Sequence, residues 1–321
     1  MHCKQFTHTP RRIALLLRAL VLVSGLSSAL TLAAESPAVR FSSPSMGWIL
    51  AADGSQAIEI TGVADSPRAG RAVALPSAAR RSWVAPDATA AVLRLDSGLF
   101  LLRSSDVLEL LAPLDPGIAV SVAWDRASAG FALCWAESCE SRAADGAIRA
   151  QWDVPSASRA LAFSVADGLV VATADTAFWY STNETVALQT LPVAAAFRSG
   201  PRELWSVDAA GNLLGQDMQG RRTGEAELVA NPLGLVGSLD GGTFFAANAE
   251  GEAAIFTFDA ARTEKWNVED TVEGAWAAPG VLAVRLHESA KRPVAIWNSE
   301  TRTTGWMPAE TPSATGTEVR Q

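Results

Sequence analysis

Histidine is nearly missing from this chain of 321 residues, which has three. His2 and His8 precede an apolar leader, so only His287 stands beyond it. A zinc site built on several histidines is excluded by that count. A Ser-His-Asp triad would have to use His287, which lies in the hairpin-loop stretch "RLHESAKRP". Lysine is equally scarce, with Lys4, Lys265 and Lys291 beside 23 arginines, a bias of GC-rich bacterial coding. Beyond the leader only Cys134 and Cys139 remain, and no later apolar run reaches the length that spans a bilayer. Basic residues are outnumbered, 26 to 34, for a net charge of −8. Binding to nucleic acid or to an anionic membrane needs clustered Lys and Arg, so neither partner is expected.

The leader itself is informative. Lys4, Arg11 and Arg12 form a basic start, an apolar run follows to Leu32, and Ala33-Ala34 closes it. That is the layout of a secretory signal peptide over residues 1–34. The expected location is periplasmic or extracellular, with membrane attachment only if the segment is retained as an anchor. Cleavage would remove four basic residues and no acid, making the chain more acidic still. A secreted context permits a disulfide. Cys134 and Cys139 flank "WAES", and cross-strand placement around that turn would bring their Cβ atoms close enough to bond; two free thiols are the alternative.

Repeats organise the rest. Pro37, Pro76, Pro113, Pro155, Pro192, Pro232 and Pro308 are spaced by 39, 37, 42, 37, 40 and 76 residues, the last interval being a double period. A few residues after most of these prolines comes a small residue and then an aromatic: Ser82-Trp83, Ala123-Trp124, Ala162-Phe163, Ala196-Phe197 and Ala275-Trp276, with Phe41 at the start. Each is followed by a turn, an apolar run, an acidic turn and a second apolar run, as in "VLRLDSGLFLL" and "LVVATADTAFWY". Strand-length runs broken by turn signals describe an all-β fold. A unit of about 39 residues with four strands buries both faces only by stacking on its neighbours, which ring closure achieves. Two packed sheets are the competing architecture.

By its period, the span 37–308 resembles the seven-bladed WD40-like and YVTN-like propeller superfamily, although the Gly-His pair of true WD repeats is missing. The resemblance implies a single seven-bladed propeller of four-stranded antiparallel blades. The first unit would supply its own first strand near Val39–Phe41, and residues 309–321 would form a polar tail. Trp124-Asp125 ends a first strand rather than a third, so it is not the WD signature.

Three sets of residues could carry chemistry. Acids recur at the middle turns: Asp53, Asp96, Glu137, Asp175, Asp208, Glu250 and Glu288. Asp53, Asp96, Asp175 and Asp208 are the candidate acidic rim, against the plainer reading that Asp suits tight turns. Lactonase-like propellers hold a metal in the central channel with acidic and amide side chains. The expected inner strands here, from "AVRF" to "VEGAW", contain one acid, Glu273, and no Asn. No metal and no cofactor are therefore expected. Arg40, Arg81 and Arg159 are the notable polar members of those strands and form a candidate channel anion site. The recurring aromatics are expected to fill the wedges between blades. No catalytic set assembles, so the expected role is a non-catalytic scaffold that binds a protein partner in the cell envelope. The alternative is a small-molecule hydrolase or isomerase using the channel.

Overall fold

Every apolar run of the repeat forms a strand, and consecutive strands pair antiparallel with their sequence neighbours. The computed structural model describes residues 45–307, except 52, 106, 116, 156, 182–183, 199–201, 239, 269–271, 279–280, 287–293, 299–300 and 302. The leader, Val39–Phe41, Arg40, His287, Glu288 and the tail lie outside the described residues.

An N-terminal sheet holds β1 (Ser45–Leu50), β2 (Gln56–Val63) and β3 (Ser66–Ala74). Blade 1 is β4 (Ala79–Val84), β5 (Ala90–Leu95), β6 (Gly98–Arg103) and β7 (Leu108–Pro113). Blade 2 is β8 (Val120–Trp124), β9 (Gly130–Trp135), β10 (Ser138–Ala143) and β11 (Ile148–Asp153). Blade 3 is β12 (Arg159–Ser164), β13 (Gly168–Ala172), β14 (Ala177–Tyr180) and β15 (Thr185–Ala187). Blade 4 is β16 (Ala194–Phe197), β17 (Glu203–Val207), β18 (Asn212–Asp217) and β19 (Arg222–Glu227). Blade 5 is β20 (Pro232–Gly237), β21 (Thr243–Asn248), β22 (Glu252–Thr257) and β23 (Arg262–Asn267). Blade 6 is β24 (Val272–Ala278), β25 (Val281–Leu286), β26 (Val294–Asn298) and β27 (Thr303–Met307). The described residues contain no helix.

The expectation of seven four-stranded blades is corrected: six blades have four strands, and the N-terminal sheet has three among the described residues. The proline period gives the length of a unit and not the number of strands that its sheet pairs.

Each sheet meets the next through an apolar seam. Strand β9 shows how. Its residues alternate faces, so Phe131 and Leu133 pack with Val92 and Leu101 of blade 1, while Ala132 and Cys134 pack with Leu169 and Val171 of blade 3. Burial on both faces explains why "FALC" reads as an unbroken apolar run. Further seams join blades 3 and 4 through Trp179 and Phe197, blades 4 and 5 through Trp205 and Phe244, and blades 5 and 6 through Phe245 and Ala295. The N-terminal sheet lies between the two chain-terminal blades, with Trp48 and Leu50 against Leu93 of blade 1 and Met46 and Ile60 against Ile296 and Met307 of blade 6. The ring therefore closes side to side. Among the described residues, blade 6 is built from four consecutive strands. Gly305 is essential to the closing seam, because a Cβ there would overlap the Ala64 carbonyl. Beside it, the Thr303 hydroxyl donates to the Asp65 carboxylate.

Candidate functional site at the mouth of the ring

In an antiparallel meander, the loop entering each blade's first strand and the turn between its second and third strands emerge at the same end. Call that end the mouth. The residues entering the first strands include Arg80 and Arg81 in blade 1, Arg159 in blade 3, Leu191-Pro192 before β16, and Leu233 in blade 5. The described middle-turn acids, Asp53, Asp96, Glu137, Asp175, Asp208 and Glu250, stand at the same end, one turn further out.

Those acids work mainly on their own turns. Asp53 Oδ1 accepts the backbone N–H and the hydroxyl of Ser55 at 2.9 and 2.7 Å, and these bonds, the backbone one first, hold its pKa below the ordinary value. For Asp208, partial burial pulls the pKa up, but the side-chain and backbone N–H groups of Asn212 outweigh it, with a net lowering. Asp96 accepts Arg80 Nε at 2.6 Å. Asp175 sits in a turn organised by Thr173, whose hydroxyl accepts the N–H groups of Asp175 and Thr176. Among the described residues, no three His, Cys, Asp or Glu side chains cluster to hold a metal.

The two described channel arginines occupy different positions. Arg81 is the third residue of β4, with its guanidinium 5.0 Å from the Trp83 ring centre, a cation–π contact. Crowding by surrounding protein lowers its pKa, although the side chain still reaches solvent. Arg159 is the first residue of β12 and is exposed. It lines a groove of about 410 Å³ between blades 3 and 4, together with Ala157, Ala172, Thr173, Leu191 and Pro192. Neither arginine has an acid partner among the described residues. The structure does not draw them into one described pocket.

Cys134 and Cys139 face one another in register on β9 and β10, at disulfide distance, with Cα atoms 4.1 Å apart and both side chains buried. The recurring aromatics do pack into seams. Phe163 and Phe197 are buried, Trp124 lies 4.7 Å from Phe131, and Trp124 Nε1 donates to the Trp83 carbonyl of the neighbouring blade at 2.9 Å. For Trp276 and Glu273 only the backbone is described.

The sequence reading missed a second set of polar residues, at the opposite end of the ring. Asp125 is buried; Oδ2 accepts Ala127 N–H at 2.9 Å, and Oδ1 accepts Val165 N–H of blade 3 at 3.0 Å. Ser128 Oγ accepts Asp87 N–H of blade 1 at 3.0 Å. Asp167 accepts Arg202 Nε of blade 4 at 2.8 Å. These side chains tie adjacent blades together. A signal was present: Asp87, Asp125, Asp167 and Asp240 stand in the turns after the first strands of four of the six blades.

Two solved structures share the architecture. One is the β-propeller domain of Cps50 (Swd1) from Myceliophteria thermophila, with TM-score 0.57 and 11% identity over 72% of this chain and 85% of that one. The other is a functionally unknown protein from Desulfotomaculum acetoxidans, with TM-score 0.58 and 10% identity over 81% of this chain and 94% of that one. The fold is a β-propeller. At such identities the likeness establishes the fold alone. No family model matches the sequence, and no curated protein matches it. The propeller inference drawn from the repeat period therefore holds, with the blade count corrected.

Proposed function

We propose that this propeller is a secreted, periplasmic or extracellular module that binds a protein partner and does no chemistry of its own. The observation that carries the reading is the composition of the mouth. There, the loops of different blades present Arg81 and Arg159, cations without acid partners among the described residues, and the exposed leucines Leu191 and Leu233, of which Leu191 shares a groove with Arg159. Exposed apolar side chains next to unpaired charge are what a partner desolvates on docking. The frame behind the mouth is rigid, because apolar seams and buried polar ties join its sheets. A prepaid geometry of this kind lowers the entropy cost of binding. The leader of residues 1–34 supports an envelope location. Affinity capture from envelope extract is expected to recover a partner that Arg81→Glu and Leu233→Asp variants fail to retain. Recovery of no partner, together with turnover of a small ester or lactone by the purified protein, would replace this reading with the hydrolase one.

A further inference from the structure

The groove between blades 3 and 4 has a composition that narrows its occupant. Its walls are alanines and one leucine–proline–valine run: Ala157, Ala172, Ala174, Ala209 and Leu191–Val193. Alanine offers no side-chain donor or acceptor. Thr173 adds a hydroxyl, but that oxygen already bonds to Thr176 O at 3.1 Å and accepts backbone N–H groups of its own turn. Arg159 is then the cation of the groove, with no hydrogen bond or ion pair among the described residues. At 44% exposure, Leu191 leaves much of its apolar surface uncovered.

The backbone that presents Arg159 is held from both sides. Ser158 Oγ donates to Pro155 O at 2.6 Å, and Ala157 adopts φ 59. That left-handed conformation costs a non-glycine residue about 1 kcal/mol or more. Immediately after Arg159, the Ala160 N–H donates at 2.7 Å to Ser121 Oγ of blade 2. The cation is therefore delivered to the groove by a fixed frame rather than by a free loop.

We infer that this groove binds the carboxyl terminus of a peptide that ends in an apolar residue, with the terminal carboxylate on Arg159 and the last side chain against Leu191 and the alanine walls. Charge complementarity selects a carboxylate. The acidic middle turns at the same end disfavour a ligand carrying several. A chain terminus satisfies both conditions, since it brings one carboxylate and fewer peptide groups than an internal segment would leave unpaired in alanine walls. The volume of about 410 Å³ falls within the ordinary range of ligand sites, about 300–1,000 Å³. The inference rests on the binding-module reading and supplies its contact.

The test is calorimetric titration of the full chain with acetyl-Ala-Val-Leu as free acid and as amide. The acid is expected to bind, and the amide to bind about tenfold or more weakly, as loss of a charge-assisted pair dictates. Arg159→Ala is expected to bring the acid down to the level of the amide, and Arg159→Lys to retain part of the difference. Arg149→Ala, an exposed arginine on β11, is expected to change nothing. Equal binding of acid and amide, insensitivity to Arg159→Ala, or no binding of either peptide at millimolar concentration would overturn the site. Capture from envelope extract, run with wild type and Arg159→Ala, separates the two claims. A partner held equally by both removes the groove and leaves the module. Tripeptide binding by a wild type that captures nothing removes the protein-partner reading and leaves the groove.

Discussion

Asp125 and Val165 join two blades: the buried carboxylate of one accepts the backbone N–H of the other at 3.0 Å, across the seam between blades 2 and 3. The same carboxylate holds its own turn through Ala127. Asp125→Ala would leave three part-buried N–H groups, those of Ala127, Ala129 and Val165, without this acceptor, and about 2–3 kcal/mol of stability should be lost in urea unfolding. Asp125→Asn keeps one acceptor oxygen and should lose less. Equal stability of Asp125→Ala and wild type would show that the seam does not depend on this tie.

The cross-strand cysteines make a second prediction. They are five residues apart, and a loop that short places the chain-entropy contribution at about 2 kcal/mol. Under denaturing, non-reducing conditions neither thiol should react with an alkylating agent, and mass spectrometry should find both blocked. The Cys134→Ala/Cys139→Ala double variant should melt lower, because both side chains also fill the seam with blade 3, yet keep the fold.

Ring closure depends on a glycine. Gly305→Ala drives a methyl group into the Ala64 carbonyl, and overpacking of this kind costs about 1–3 kcal/mol. The damage should be local at first. Hydrogen exchange at Thr303–Met307 and Ser45–Leu50 should accelerate before that of blades 2 to 4. Uniform acceleration around the ring would mean that the closing seam is no weaker than the others.

The turn carboxylates at both ends of the ring predict an acid limb. Asp53, Asp208 and Asp240 all have pKa values lowered below 3.8 in the folded protein, by hydrogen bonds from Ser55, from Asn212 and from Ser238 and Gly242 respectively. A depressed carboxyl pKa means that the unfolded chain binds more protons in that range. The stabilisation is therefore complete above the unfolded value and disappears as pH falls through the folded one. Unfolding free energy should be flat above about pH 5 and fall below about pH 4. Asp208→Asn should shallow that fall. An unchanged acid slope in the variant would mean that the Asn212 bonds persist in the unfolded state.

How much of this was legible in the letters differs from element to element. The run "FALC" announces a strand buried on both sides, and the spacing of Pro76, Pro113 and Pro155 announces the unit. The Cys134–Cys139 pairing follows from a short turn between two strands. The blade count was not legible, because the proline spacing gives the length of a unit and not the number of strands its sheet pairs. Nor was the role of Asp125 visible. Its position after Trp124 invites comparison with a repeat signature, whereas its acceptor function depends on Val165, 40 residues away.

Local chemistry decided the strands, the turns and the seams, since alternation, turn residues and a shared period are properties of neighbours along the chain. Tertiary structure alone decided which polar groups are used and which are left over. Arg80 and Arg81 are adjacent in sequence, yet one is paired with Asp96 and the other lies over Trp83. Arg159 faces a groove whose other wall comes from the next blade. Pairing and vacancy depend on what closure of the ring brings opposite each side chain, and no period along the chain encodes that.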